Sequence, residues 1–313
     1  MSVSIALDVG GTNIKGALVQ GGKILAEDSI PVSDNNLLAP LLPVIRERIA
    51  SMARSANVGS GQFGGIGMAF PCIVDSRESR ILSEYVKYRD INDLALNAWA
   101  ANIWGIPLRM ENDARAALVG EWQFGAGKGI DNLVQITIGT GVGSAVLIEG
   151  RLLRGKHYVA GNLGGHMTVK YDGSLCNCGN IGCLETVAST WSLPEIARKD
   201  PGFGQSMLSR EPSIDFRILF DLAKKGDELS CRLRDDCIKA WSFGIVNLVH
   251  AFDPERIIVG GGIMKSRDIL LPHFRDIIDR HTWLPPGTVE VVAAENENNA
   301  ALLGMAYLIE KNE

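Results

Sequence analysis

The sequence predicts an α/β protein made of two related halves, each a mixed β-sheet with flanking helices. The first observation is length, because 313 residues are enough for two domains with separate cores. The second is an internal repeat, in which a strand, a glycine turn and a second strand occur near residue 10 and again near residue 140. Hydrophobic residues at 46% and charged residues at 21% are ordinary globular values.

In the first half, alternating apolar residues and paired glycines predict a run of strands joined by tight turns. A helix is expected after Asp34, with Pro40 and Pro43 confining its regular part to the later turns. A second helix, capped by Asp90, should end at Trp104. The predicted strands are Val3–Val9, Ile14–Val19, Lys23–Ile30, Gly65–Phe70 and Leu108–Glu111, and a third helix begins at Asn112-Asp113.

The second half repeats the strand and turn order and then becomes helical. The predicted strands are Leu133–Ile138, Ser144–Ile148 and Arg256–Val259, and the predicted helices are Glu228–Ala251, Arg267–Arg280 and Asn299–Glu310. We expect the last helix to pack back on the first domain. The expected domains are therefore residues 1–115 with 299–313, and residues 116–298.

Charge and the N-terminus limit the expected partners. The net charge is −5 and the basic residues are scattered, so the sequence lacks the basic patch typical of a nucleic-acid-binding protein. The first eight residues contain no basic segment and end in Asp8, and no later apolar run is long enough to cross a bilayer. We therefore expect a cytoplasmic protein that binds neither nucleic acid nor membranes.

A compact cluster of metal-ligand residues lies in the second half. One imidazole and three thiolates complete a tetrahedral zinc shell, which leaves no open position for a metal-bound water. The site is therefore predicted to be structural. A buried or disulfide-bonded glycine-rich loop is the alternative, which the absence of any sign of an oxidising compartment disfavours. The four residues are His166, Cys176, Cys178 and Cys183.

Three glycine turns each follow a strand, and they are candidate phosphate-binding turns. Glycine lets backbone amides approach phosphate oxygens closely, although any hairpin also needs glycine for a positive φ angle. Near the first turn, a hydroxyl, a cation and an acid that could hold Mg²⁺ through water strengthen this interpretation. The residues are Asp8, Gly10, Gly11, Thr12 and Lys15 at the first turn, Gly139, Thr140 and Gly141 at the second, and Gly261 and Gly262 at the third.

In this order the motifs resemble those of the ROK family of sugar kinases and sugar-responsive repressors. The resemblance runs from Asp8 to the helix containing Gly304, and the zinc motif is its most specific part. The matching segments are Asp8–Lys15, Glu111–Ala114, Gly139–Gly143, the zinc set followed by Glu185, and Val259–Gly262.

The resemblance implies an actin-like, ribonuclease H-like two-domain fold with nucleotide and sugar in the interdomain cleft. It also implies an ATP-dependent hexokinase-type enzyme that uses Mg²⁺ for catalysis and Zn²⁺ for structure. The partners that it implies are ATP, a sugar and a second copy of the chain in a homodimer. Asp113 matches the catalytic base, and Asn112, His166 and Glu185 match sugar contacts. The family's repressors carry an N-terminal helix-turn-helix domain. Because the first phosphate turn is reached at residue 8, we expect this chain to lack one.

The sequence departs from the family pattern at positions that are expected to affect which sugar is bound. Leu163 stands three residues before the zinc histidine, where many family kinases have Glu, and Asn162 is the candidate replacement. Cys72 stands where glycine is usual, and the run Lys87-Tyr88-Arg89 is either a pocket segment or a solvated surface. We expect phosphorylation of glucose or a related hexose at its primary hydroxyl. The alternatives are a non-catalytic sugar sensor, a kinase for an acylated aminohexose, fructose or allose, and an actin-like or chaperone-like ATPase.

Overall fold

The computed structural model describes residues 2–32, 37–84, 87–296 and 298–311, so the predicted helix start at Asp34 lies outside the described residues. The strands are β1 Val3–Val9, β2 Asn13–Gln20, β3 Lys23–Pro31, β4 Phe63–Phe70, β5 Val74–Asp75, β6 Arg80–Ile81, β7 Leu108–Asn112, β8 Leu133–Ile138, β9 Val142–Ile148, β10 Arg151–Leu152, β11 Arg256–Gly260 and β12 Glu290–Ala293.

The helices are α1 Leu42–Ser55, α2 Leu96–Trp104, α3 Asp113–Phe124, α4 Leu184–Val187, α5 Leu193–Lys199, α6 Phe216–Lys224, α7 Glu228–Phe252, α8 Arg267–His281 and α9 Ala300–Lys311. Within the described part of the chain, none of them combines the length and the apolar content needed to cross a membrane.

The chain forms two compact units, and each has its own apolar core. Unit one comprises Met1–Gly129, Arg154–Val159 and Glu295–Glu313, and unit two comprises Ile130–Leu153 and Ala160–Ala294. The division differs from the expected boundary after residue 115, because that boundary cuts through α3 and the whole of α3 stays in unit one.

The two units share one sheet topology. The strand order is β3-β2-β1-β4-β7 in unit one and β10-β9-β8-β11-β12 in unit two. In both sheets the first three strands are antiparallel and the remaining pairings are parallel. The repeat in the sequence is therefore a repeat of the whole sheet, including β12, which the sequence analysis did not predict.

Helices α3 and α9 pack closely in unit one because glycines remove side chains from their contact. A Cβ atom on Gly120 would lie 1.9 Å from the Ala300 carbonyl oxygen, and one on Gly304 would lie 1.8 Å from that of Ala116. The buried Glu121 carboxylate accepts hydrogen bonds from the amides of Glu295 and Asn296 at 3.1 and 2.6 Å. These contacts hold the start of the C-terminal segment against α3.

The prediction that Asp90 caps the helix ending at Trp104 is wrong. Helix α2 begins at Leu96, and the Asp90 carboxylate instead accepts hydrogen bonds from the amides of Leu38 and Ala39, at 2.8 and 2.9 Å. The capping chemistry is the expected one, since a carboxylate satisfies free amides before a helix. The contact joins residues about fifty positions apart, which local sequence pattern does not reveal.

Candidate functional site

In unit one, the parallel strand pairing brings two acidic side chains to one edge of the sheet. Asp8 near the end of β1 pairs with Ala69 on β4, and Ala69 pairs with Glu111 on β7. Two residues later, Asp113 begins α3. Burial raises the pKa of Asp8, and Lys15 directly opposite on β2 partly offsets this effect. The carboxyl edge of this sheet therefore places Asp8 and Asp113 near one another.

The Asp113 carboxyl group is held in a fixed orientation. Its Oδ1 accepts hydrogen bonds from the Ala114 amide at 2.8 Å and from Asn112 Nδ2 at 3.1 Å. Burial, followed by repulsion from Asp8, raises its pKa from 3.8 to about 7. A carboxyl group with a pKa near neutrality accepts a proton far more readily than an ordinary aspartate does.

Asn112 connects this carboxyl group to the backbone around it. Its Oδ1 caps α3 by accepting from the Arg115 amide at 3.2 Å, and its Nδ2 also donates to the Cys72 carbonyl at 3.2 Å. A carbonyl oxygen has two lone pairs, so Oδ1 retains one beyond the cap.

Glu111 anchors the same strand end through an ionic network that the sequence analysis missed. Its side chain is 1% exposed, and Oε2 accepts from Arg154 Nε and Nη2 at 2.9 and 2.8 Å. Its Oε1 lies 3.7 Å from Arg115 Nη1 and accepts from the Asn112 amide at 2.9 Å. Arg115 Nη1 also donates to the Tyr158 carbonyl. The network fixes the residue immediately before Asn112 and Asp113.

The first glycine turn is held by a hydrogen bond from Tyr88. This side chain is fully buried, and its hydroxyl donates to the Gly10 carbonyl at 2.7 Å. The neighbouring Lys87 and Arg89 are exposed. Gly11 is half-buried and Thr12 is exposed, so both groups are accessible. Of the three-residue run whose role the sequence left open, Tyr88 is thus the one tied to the turn.

Cys72, where glycine is usual in the resemblance, is buried close to Asp113. Burial, with a contribution from the Asp113 charge, raises the pKa of its thiol to about 12. The side chain is therefore a neutral, small apolar group near the carboxyl group of Asp113.

In unit two, Glu185 is built onto the second glycine turn. Its Oε2 accepts from the Val142 amide at 2.7 Å, and its Oε1 accepts from Trp191 Nε1 at 3.1 Å. A Cβ atom on Gly141 would lie 2.5 Å from Oε2, so only glycine leaves room for the carboxylate here. The turn residues Gly139 and Thr140 accept backbone hydrogen bonds from Thr190 and Trp191.

The segment before His166 lies against β9. Ser144 Oγ donates to the Gly161 carbonyl at 2.7 Å and accepts from the Gly164 amide at 2.8 Å. Within the described residues, no donor reaches the buried Oδ1 atom of Asn162. Leu163 is 40% exposed and projects no polar group. Asn162 is therefore the residue of this pair with an unsatisfied polar atom.

The predicted metal ligands converge on one point. The ligand atoms of His166, Cys176, Cys178 and Cys183 all lie within 4.8 Å of one another. The Sγ atoms of Cys178 and Cys183 are 3.7 Å apart, and Cys176 Sγ is 3.5 Å from His166 Nδ1. A tetrahedral zinc ion with Zn–S bonds of about 2.3 Å requires S···S separations of about 3.8 Å. The side chains thus fit zinc, and Nδ1 is the imidazole nitrogen that faces the cluster.

The loop that carries these cysteines needs its glycines. Gly182 has a φ angle of +64°, and a Cβ atom there would lie 1.6 Å from the Lys170 carbonyl oxygen. Gly179 has a φ angle of +87°. Such angles are available to glycine at little cost, which lets the short loop curl.

The third glycine turn lies beside the second. Gly260 on β11 pairs with Thr137 on β8. Gly261 has a φ angle of +93°, and a Cβ atom there would lie 2.2 Å from the Ile138 carbonyl oxygen. Unit two thus brings the second and third turns together with Glu185, whereas Asp8, the first turn and Asp113 belong to unit one.

Comparison with known proteins identifies the family. The family model described as ROK matches residues 4–312 of the chain. The chain belongs to the ROK family. A glucokinase of Thermotoga maritima is 33% identical over 98% of this chain and 97% of its own length. A xylose repressor of Bacillus spizizenii is 28% identical over 98% of this ROK chain and 76% of the repressor.

A solved ROK structure has the same fold. The ROK glucokinase of Streptomyces griseus, in complex with glucose and AMPPNP, is 28% identical, matches 99% of both chains and superposes with a TM-score of 0.77. This ROK protein therefore has the predicted actin-like α/β fold with two mixed sheets.

Proposed function

We propose that this ROK protein transfers the γ-phosphoryl group of ATP to the primary hydroxyl of glucose or a related hexose. The observation that carries the proposal is Asp113, a carboxyl group fixed at a helix start with its pKa raised to about 7. The similarity to glucokinases over nearly the whole chain supports the same reaction class. The protein is on this basis an ATP-dependent sugar kinase.

Asp113 acts as the general base. A sugar hydroxyl is a weak nucleophile, so a carboxylate must accept its proton as the oxygen attacks phosphorus. The hydrogen bonds from Ala114 and Asn112 occupy Oδ1 and fix the plane of the carboxylate. A fixed carboxylate loses little entropy when the substrate arrives.

The sugar hydroxyls are assigned to four side chains. Asn112 Oδ1 has a free lone pair, Asn162 Oδ1 is buried without a donor, and Glu185 is held in place by Val142 and Trp191. His166 faces the cysteines through Nδ1, so its Nε2 is the nitrogen assigned to the sugar. Each of these groups would be left partly unsatisfied by a sugar that lacks the matching hydroxyl, and this is a strong source of discrimination.

The phosphates of ATP are assigned to the three glycine turns and Lys15. Mg²⁺ held near Asp8 supplies charge neutralisation for the phosphates when it is bound. The residues fit a divalent cation, because Mg²⁺ prefers carboxylate oxygens and the two acids Asp8 and Asp113 lie at one edge of the same sheet.

The Cys₃His cluster is assigned to structural Zn²⁺. The distances between the ligand atoms fit a closed tetrahedral shell. His166 is the first of the four residues in the sequence and Cys183 is the last. His166, Cys176, Cys178 and Cys183 would hold the ion, which would supply a rigid support for His166 as a sugar contact and take no part in the reaction.

The decisive experiment is a panel of hexoses, aminohexoses and acylated aminohexoses in an ADP-release assay with wild-type protein and Asp113→Asn. We expect turnover with one or more sugars and a loss of about 10²–10⁴-fold in the variant, with ATP binding retained. Binding of sugar without turnover by the wild type would support the sensor class, to which the xylose repressor similarity points.

The choice of sugar rests on Asn162 and Leu163. We expect Asn162→Ala to raise KM for the preferred sugar by about tenfold, since a satisfied buried hydroxyl contributes on the order of 1–3 kcal/mol. Leu163→Glu and Asn162→Glu, measured in parallel, should show a shift toward glucose only at the position that faces the sugar. If all three changes leave the sugar preference unaltered, this segment does not contact the substrate.

The homodimer, the cytoplasmic location and the lack of nucleic-acid binding stay predictions. Light scattering of the purified protein measures the first, and fractionation of cells and a DNA-binding assay measure the others.

A further inference from the structure

Trp191 lies between the second glycine turn and Glu185, and nothing in the family resemblance assigns it a role. It belongs to the connection between α4 and α5. Its backbone amide donates to the Thr140 carbonyl at 3.1 Å, and its indole Nε1 donates to Glu185 Oε1 at 3.1 Å. The side chain is 37% exposed, so part of the ring is open to solvent.

The indole is the second hydrogen-bond donor that the described residues supply to the Glu185 carboxylate. Val142 holds Oε2 through its backbone amide, and Trp191 holds Oε1. With one anchor the carboxylate can rotate about its terminal bond, whereas two anchors on opposite oxygens fix its plane. Hydrogen bonds to a charged acceptor are about twice as strong as neutral ones, so the indole bond is strong enough to matter.

The fold does not depend on this indole. The connection is fixed by the Thr190 amide, which donates to Gly139, and by Ser192, whose hydroxyl donates to the Glu185 carbonyl at 3.2 Å. The buried Trp241, whose Nε1 donates to the Ala188 carbonyl, packs in the core of unit two. The half-exposed Trp191 side chain therefore makes its one side-chain hydrogen bond to Glu185 rather than to the core.

We propose that Trp191 is a positioning residue for sugar binding, which acts by holding the Glu185 carboxylate in the plane that receives a sugar hydroxyl. This inference rests on the proposed function, which assigns Glu185 to the sugar. It ties the sugar contact to the phosphate turn, because the backbone of Trp191 holds Thr140 while its side chain holds Glu185.

The test compares Trp191→Phe with Trp283→Phe. The first change keeps an aromatic ring and removes the N–H donor. The second is the matched control, since Trp283 is 95% exposed in the loop after α8. We expect Trp191→Phe to raise KM for the sugar by about tenfold while kcat, KM for ATP and Tm stay within twofold or about 2 °C of wild type. The control should change none of them.

A double-mutant cycle with Glu185→Gln tests whether Trp191 acts through Glu185, and the single variant Glu185→Gln tests whether Glu185 binds the sugar. If Trp191 acts through Glu185, the loss caused by Trp191→Phe should largely disappear in the Glu185→Gln background. Unchanged sugar KM in Trp191→Phe, an effect on KM for ATP alone, or additive losses in the cycle would each overturn the inference. If Glu185→Gln itself leaves sugar KM unchanged, the assignment of Glu185 in the proposed function is wrong.

Discussion

The pH dependence of the reaction follows from the environment of Asp113. Two effects raise the pKa of Asp113 from 3.8 to about 7: burial, which is the larger, and repulsion from the Asp8 charge. A general base must be ionised before it accepts a proton, so activity falls as the pH drops below about 7. Asp8→Asn removes the neighbouring charge and should move this acid limb to lower pH, even if the plateau rate also falls.

The magnitude follows from the ionised fraction of one group. With a pKa of about 7, kcat/KM at pH 6 should be about one tenth of its plateau and at pH 5 about one hundredth. The assay is direct quantification of ADP at subsaturating concentrations of both substrates, where the profile reports the free enzyme. A flat profile between pH 5 and 8, or an acid limb that Asp8→Asn leaves in place, would refute the reasoning.

The same pKa makes a linked prediction about stability. Between pH 3.8 and about 7 the folded protein retains a proton that the unfolded chain has released, so stability falls as the pH rises through this window. Asp113→Asn should therefore raise Tm at pH 8 and lose this gain toward pH 4. Three pKa units correspond to about 4 kcal/mol. By surface area Asp113 is only half-buried, so solvent screening reduces the expected gain to roughly 1–2 kcal/mol, or about 2–5 °C.

Three further changes test the rest of the site. Cys178→Ser should lose about one zinc ion per chain by elemental analysis and lower Tm, since a structural zinc ion contributes folding free energy. Gly141→Ala should raise sugar KM at least tenfold, because its methyl group would lie 2.5 Å from Glu185 Oε2. Arg154→Gln should lower the free energy of unfolding, measured by urea denaturation, by about 2–3 kcal/mol. It should also lower kcat, because Glu111 loses both hydrogen bonds from the Arg154 guanidinium.

Each of these changes has a matched control in the chain. Cys231→Ser alters a cysteine outside the metal cluster and should leave the zinc content unchanged. Gly204→Ala places a methyl group on an exposed residue outside the proposed site, where no atom lies within 4 Å. Arg151→Gln alters an exposed arginine three residues before Arg154. Equal effects in a variant and its control would mean that the geometry named for that variant is not the cause.

Local sequence pattern predicted those parts of the fold whose cause is local. Strand β8 was predicted at its observed bounds and the long helix α7 to within one residue, because alternation and helical spacing act over a few residues. The glycine turns and the metal cluster were also visible, since their spacing along the chain is short. Strand β12 and helix α6 were not predicted, although α6 has a capping Asp215 that local reasoning could have used.

The parts of the site that sequence reasoning missed are contacts between residues far apart in the chain. Tyr88 supports Gly10 across 78 residues, and Arg154 reaches Glu111 across 43. No periodicity or spacing encodes such pairs, because they depend on which strands become neighbours. Trp191 is different, since it lies only six residues from Glu185. An indole donor so close in sequence to a candidate sugar-binding carboxylate was a local signal that the sequence offered.

The duplicated sheet explains how one architecture supplies two kinds of chemistry. In unit one, β1 precedes the first glycine turn and pairs in parallel with β4. In unit two, β8 precedes the second glycine turn and pairs in parallel with β11. The carboxyl ends of the paired strands therefore lie at a common edge of each sheet. In unit one that edge carries acids whose mutual repulsion raises a pKa, and in unit two it carries a second and third glycine turn beside Glu185. We therefore expect substitutions of Asn162 and Leu163, which lie in unit two after β10, to alter the preferred sugar while the strand order stays the same.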